Sequence, residues 1–250
     1  RGNQIAGSWY QNLDSYQGTI VFWVTPEWNG NDGLIHTLFQ GASTTYVLPF
    51  IFKWSNNTLY VEGAISAGLD ISSWTAGTTY NVVVRWDTKN TLDGTNKACI
   101  SVNDVHTFIP VPAVSADPNT PIYVGGSATA RPANAIIEGL TIYRRPLFDG
   151  TYGVDVGNGD EINLIYASGT GKDPCEVTGS WDVVFCLPTN STAGALVTGT
   201  GEAWSHPHSS NLLTNGWFAN GYYGGGAKAV QFNGTTTKID CGSDAGLDNL

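Results

Sequence analysis

Thr19-Ile20-Val21-Phe22-Trp23-Val24-Thr25 decides the fold: an unbroken run of β-branched and aromatic residues, closed by Pro26. Such side chains fit a pleated surface and lose rotamer freedom in a helix, so the run predicts a strand, and the proline ends it. A second stretch answers it. Tyr80, Val82, Val84 and Trp86 alternate with Asn81, Val83 and Arg85, the period of a half-buried strand facing a core.

Working outward, short strand signals recur between turn signals. Asn29 to Gly33 is a loop by composition, Ile35 to Phe39 and Tyr46 to Trp54 read as strands, and Pro49 marks an edge or bulge. Asn56-Asn57 turns the chain into Leu59 to Glu62. Ala98 to Val102, Val105 to Ile109 across Asn103-Asp104, Ile122 to Gly126 and Gly139 to Tyr143 complete the set. Almost no helix interrupts them, which means an all-β antiparallel sandwich or barrel. One short helix is expected after Asp160, with Ile162, Ile165 and Tyr166 as its apolar stripe and Gly169 at its end. Four segments follow: a sandwich over 1–150, a packing helix over 151–170, a β-rich extension over 171–226 and a terminal hairpin over 227–250.

The 250 residues carry a net charge of −10, with 11 basic residues scattered along the chain, which excludes a nucleic-acid partner. No apolar run is long enough to insert in a membrane. Only 13% of residues are charged, and Gly, Ser, Thr and Asn are abundant, a profile that suits a secreted or surface protein, on a cell or a virion. Methionine is absent, so Arg1 is expected to follow residues encoded upstream. Cys175 and Cys186 bracket a strand-like run and could close a local disulfide in an oxidising compartment. Cys99 and Cys241 have no ligand-spaced neighbours.

Gly18 to Pro26, Tyr80 to Asp87, Ile100 to Asn103, Ile122 to Gly125 and Ile137 to Leu147, in that order, resemble the concanavalin A-like lectin and glucanase superfamily. The likeness is to its laminin G-like and pentraxin-like jelly rolls. It spans about Gly18 to Gly169 and implies a jelly roll whose closing strand ends at Tyr143, followed by a short helix. The family's first strand is only partly matched near Gln4 to Leu13, while a fuller version stands at Ala229 to Gly242. Val230, Phe232 and Ile239 therefore read as an assembly strand. It would close its own sandwich, start a next domain or insert into a neighbouring subunit, the last two being preferred.

The catalytic inventory is thin. Glucanases of this superfamily set carboxylates on one strand face, and retaining glycosidases hold two of them about 5 Å apart. Glu138 stands alone before a strand and lacks a partner two residues away. His206-Pro207-His208, with Glu202 nearby, has no third metal ligand at a known spacing, and His36 and His106 read as ordinary strand residues. The expectation is a protein that is not an enzyme and needs no cofactor. Ca²⁺ held by Asp32, Asp87 or Asp93 is conceivable, but their spacing does not support it.

Binding is better represented. An aromatic platform flanked by Asn and Asp is how sugars are held, and Trp28, Asn29 and Asp32 form one such group, Trp54 and Asn57 another. Asn56, Asn190 and Asn233 head glycosylation sequons. The sequence thus leads first to a non-catalytic structural unit of a filament, fibre or surface array, whose partners are identical subunits or neighbouring domains. The alternative is a glycan-binding module of an adhesin or viral tail protein. A glycoside hydrolase comes third.

Overall fold

Burial follows residue parity along strand β1 (Gln17–Pro26). Ile20, Phe22 and Val24 point into one apolar cluster and Val21 into another, and all are at most 1% exposed. The computed structural model describes residues 16–40, 50–62, 67–110, 123–126, 131–172, 182–186, 217–220, 228–231 and 239–240. Those residues form two antiparallel sheets. β6 (Tyr80–Asp87) and β10 (Ala135–Tyr143) flank β1, and β7 (Ala98–Val102) and β8 (Val105–Ile109) continue past β6. Beyond β10 lie β13 (Lys228–Gln231) and then β12 (Trp217–Asn220), and β11 (Val183–Cys186) pairs with the far end of β10. The second sheet runs β14 (Ile239–Asp240), β9 (Tyr123–Val124), β2 (His36–Gln40), β3 (Phe50–Lys53), β4 (Thr58–Glu62), β5 (Ala67–Asp70). The all-β, antiparallel expectation holds.

Ile20, Phe22, Val82, Val84, Ile100, Ile137 and Leu140 of the first sheet meet Leu38, Ile51, Leu59, Val61 and Val124 of the second, so the main core lies between the sheets. This is the packing of a β-sandwich. β6 is not half-buried, as its alternation suggested. Its other face carries Asn81, Val83 and Arg85, all fully buried. The reason is a cover over that face built by residues 144–172. Leu147, Ile162 and Ile165 pack on Val21, Val83 and Tyr143, and Tyr166 stacks on Trp23 at 6.2 Å.

Charges fasten the cover. Arg85 donates to Asp149 at 2.5 Å and to the Leu147 carbonyl at 2.9 Å. Arg145 makes a bidentate pair with Glu161 at 2.7 and 2.6 Å and reaches Asp182, just before β11, at 2.8 Å. Thr19 adds an uncharged tie, donating to the Arg145 carbonyl and accepting from the Leu147 N–H. Helix α1 (Glu161–Tyr166) is capped by Asp160, which accepts from the Asn163 N–H at 2.9 Å. It ends at Ala167, which turns left-handed at φ 49°, two residues before the expected Gly169.

The terminal segments sit in the chain's own sheets. Val230 pairs with Ile137 on one side and Phe218 on the other, and Ile239 pairs with Val124, so both segments are strands of this chain's sheets. The preference for a next domain or a neighbouring subunit is corrected to the remaining option, closure of the chain's own sandwich. Phe232 lies outside the described residues, as do Cys175, Asn190, Asn233, Glu202, His206 and His208. Cys186 is placed in β11, opposite Thr141.

Burial raises the Glu161 pKa, but the donors Arg145, Asn158 and the Phe148 N–H outweigh it and hold the carboxyl below its usual range. A depressed carboxylate stabilises the fold above its unfolded pKa, and that stability is lost as pH falls through the folded value. Glu161→Gln is expected to cost about 3 kcal/mol near neutral pH, because the buried Arg145 cation loses one of its two carboxylate partners and keeps Asp182. The penalty should shrink as pH falls below the ordinary glutamate value of about 4.3 and on through the lower folded-state value. Urea titrations across pH check both.

Candidate functional site

The loop after β1 does not present an open platform. Trp28 is 5% exposed, and its indole N–H donates to the Ala133 carbonyl at 2.7 Å. It lies within a column of rings: Tyr80 on Trp74 at 4.2 Å, Trp74 on Trp28 at 6.0 Å, Trp28 on His36 at 4.5 Å. Gly30 allows the column to close, because a Cβ there would collide with the Ile71 carbonyl. Asn29 accepts from the Ala76 N–H at 3.0 Å. The expected sugar-binding set Trp28, Asn29 and Asp32 is therefore corrected: its ring is covered and its acceptors are engaged.

Lys53 explains why this end of the sandwich is built so. Ile51 and Lys53 share the core face of β3, and at Lys53 that face runs out against Trp28. The fully buried ammonium is received by Asp32 at 2.5 Å and by the Leu34 carbonyl at 2.9 Å. Asp32 also meets His36 Nε2 at 2.7 Å. Burial raises the Asp32 pKa, but bonds from Lys53, the Leu34 N–H and His36 together carry it below the usual carboxylate range. Burial pushes His36 down, against the pull of Asp32, and keeps its ring neutral. A lone histidine in the sequence is thus one member of a three-part cluster. No short-range spacing joins Asp32 to Lys53.

Trp54 is different. Phe50, Phe52 and Trp54 alternate along β3 and its exit on the outer face of the second sheet, and Tyr60 stands opposite Phe52 on β4. Their rings touch in series, Phe50 to Phe52 at 4.5 Å, Phe52 to Tyr60 at 5.7 Å and Phe52 to Trp54 edge-on at 5.8 Å. Trp54 is 36% exposed, with the Arg131 guanidinium 5.5 Å from its ring. Asn56 donates its amide to the Tyr60 hydroxyl at 2.9 Å. Asn57 makes the turn at φ 68°, and its carbonyl accepts from Ile71. Of this stripe only Trp54 stood out as a candidate in the sequence; the signal that could have found the rest is the spacing of aromatic residues two apart at 50, 52 and 54.

On the outer face of the first sheet, Ser101 meets His106 Nδ1 at 2.7 Å, and His106 Nε2 lies 3.8 Å from Asp104. Ser101 is fully buried, and the His106–Asp104 distance is too long for a hydrogen bond. Burial raises the Asp104 pKa, with help from the charge of Asp160. The set braces a hairpin and offers no open nucleophile. Glu138 is buried opposite Trp23. The Asp87 and Asp93 carboxylates each accept from amides of their own loops, and no metal-holding group occurs among the described residues.

No protein-family model and no curated protein matches the chain. Solved structures do. A mutant of Trypanosoma rangeli sialidase displaying trans-sialidase activity is 17% identical, with a TM-score of 0.39, over 53% of this chain and 21% of that one. Trypanosoma rangeli sialidase in complex with sialic acid is 16% identical, with a TM-score of 0.35, over the same shares. The overlap spans about a fifth of those chains and assigns no activity here. The expectation that the chain is not an enzyme is not upheld: the overlapping structures are of sialidases, and the likeness gives this chain neither an activity nor the lack of one. Of the expected concanavalin A-like family, the chain's own two antiparallel sheets are what holds.

Two tryptophans should respond unequally. Trp28→Ala is expected to cost about 3–5 kcal/mol, as a large core deletion. Trp54→Ala is expected to cost about 1 kcal/mol or less, since the ring is partly in water. Chemical denaturation of both variants checks this. Because His36 is held neutral, folding stability should be full above its ordinary value of 6.5 and decline as the unfolded chain takes up a proton below it. Melting temperature should drop between about pH 7 and pH 5, and His36→Phe, which keeps a ring on Trp28, should flatten that decline.

Proposed function

We propose that the chain is a glycan-recognising module, a concanavalin A-like jelly roll of an extracellular, cell-surface or virion protein. The observation that carries the reading is the exposed Trp54 ring at the end of a period-two aromatic stripe, beside a Tyr60 hydroxyl and an Asn56 amide held together. An indole face packs against the C–H groups of a pyranose, while hydroxyl and amide groups fix its orientation. Phe52 sets the ring upright by its edge contact, and the Tyr60–Asn56 bond places both polar groups before a ligand arrives, which lowers the ordering cost of binding.

The family reading draws support from two antiparallel sheets packed face to face, with β1 between β6 and β10, and from the short helix after the closing strand. A net charge of −10 sits well with a surface glycan partner and poorly with nucleic acid. No helix among the described residues is long and apolar enough to cross a membrane. Asn56 also heads a sequon. A glycan attached there would take the amide away from Tyr60 and block the platform, so recognition requires Asn56 unmodified.

The intact chain is expected to bind a subset of a glycan array, and Trp54→Ala to weaken that binding by about tenfold or more, ~1.4 kcal/mol. Trp28 variants are unsuited as controls because they disturb the core, whereas Lys89→Ala, away from the stripe, should bind as the parent does. Mass spectrometry of the incubated glycan shows whether recognition is accompanied by cleavage. No binding by the intact chain, or full binding by Trp54→Ala, overturns the proposal.

A further inference from the structure

Among the described residues the first sheet ends at β8, which pairs with β7 alone. Its sequence is Val105-His106-Thr107-Phe108-Ile109, without lysine, proline or glycine, and its register with β7 is unbroken. Lysine, proline and bulges are devices with which edge strands discourage partners, and β8 has none of the three. Val105 is 69% exposed.

The hairpin loop determines which backbone groups of β8 are spare. Asn103 and Asp104 both take positive φ, 50° and 66°, between paired Val102 and Val105. That is a two-residue hairpin turn, in which the Val105 N–H turns inward to the Val102 carbonyl. Inward and outward alternate along a strand, so Thr107 and Ile109 also bond to β7. The N–H and C=O groups of His106 and Phe108 point away from the sheet.

We propose that β8 pairs with β8 of a second copy of this chain, antiparallel about a two-fold axis at Thr107. The spare groups are placed symmetrically about that residue. His106 of one copy then opposes Phe108 of the other, and each such pair exchanges both of its N–H···O=C bonds. A slip of one residue would set spare groups against engaged ones. Thr107 meets its own counterpart in the close, non-hydrogen-bonded pair, with Cα atoms about 4.5 Å apart. Threonine pairs and imidazole–phenyl pairs are favourable cross-strand neighbours. Exposed Val105 gains Ile109 of the other copy, and Pro110 ends the ladder. The strand itself carries no fixed charge, so the mutual repulsion of two chains at −10 each is long-range and falls as salt is added.

Sedimentation of the full chain over a concentration series is expected to give a monomer–dimer equilibrium that strengthens with salt. Thr107→Lys and Thr107→Glu should each sediment as monomers with near-parent melting temperatures, because each opposes like charges at the axis. An equimolar mixture of the two should recover the dimer. Thr107→Cys should form an inter-chain disulfide on mild oxidation, the Cα separation lying within the bridging range of about 4.4–6.8 Å. A parent that stays monomeric, a dimer that survives both charged substitutions, or a mixture that fails to associate overturns the proposal.

Discussion

Everything in this molecule answers to one requirement, that β1 be dry on both faces. Ile20, Phe22 and Val24 need the opposing sheet, and Val21 and Trp23 need a cover of their own. An antiparallel sheet ordinarily leaves one face to water. Here residues 144–172 make the second face an interior, and two arginines secure it from opposite sides, Arg85 from the sheet and Arg145 from the cover. Burial penalises the Arg145 cation, yet its bonds to Glu161 and Asp182 raise its pKa on balance. Such pairs add little over apolar packing, but each fixes one geometry, because a misplaced cover would strand a charge without its partner.

The second sheet has the opposite problem and the opposite outcome. Its outer face is lined by Phe50, Phe52, Trp54 and Tyr60, which shield one another ring against ring and leave Trp54 facing water. Phe52 is buried by this mutual shielding, so the apolar area left to water is mainly that of the Trp54 ring. The same chain thus uses tryptophan in three ways: Trp23 under the cover, Trp28 sealing an end of the core, Trp54 at the surface.

What the sequence made legible follows from the range of the interactions involved. β1 and β6 announce themselves by composition and period, and the Asp160 cap by its position before the Ile162 and Ile165 stripe. β5 carries only Ala67 to Asp70, too short for a pattern, and forms because β4 offers it a register. The polar company of Trp28 resembled that of a sugar platform, yet Asn29 and Asp32 were occupied by Ala76, Lys53 and His36, partners known only once the chain is folded. The exposure of Trp54 accords with its polar loop, while its ring contacts with Phe52, and those of Phe52 with Tyr60, needed the β3–β4 register. Arg85 on an alternating strand looked solvated, and only the cover made it internal.

The tie between Thr19 and the Arg145 carbonyl spans 126 residues of sequence. On a ribosome adding about 5–20 residues per second, roughly 6–25 s separate the two ends of that contact. β6, β7 and β8 emerge well before β10, so a half-sheet with one apolar edge of β1 uncovered is the natural nascent species. Its safety in the cell depends on what shelters that edge during those seconds, a chaperone matter set by strand order alone.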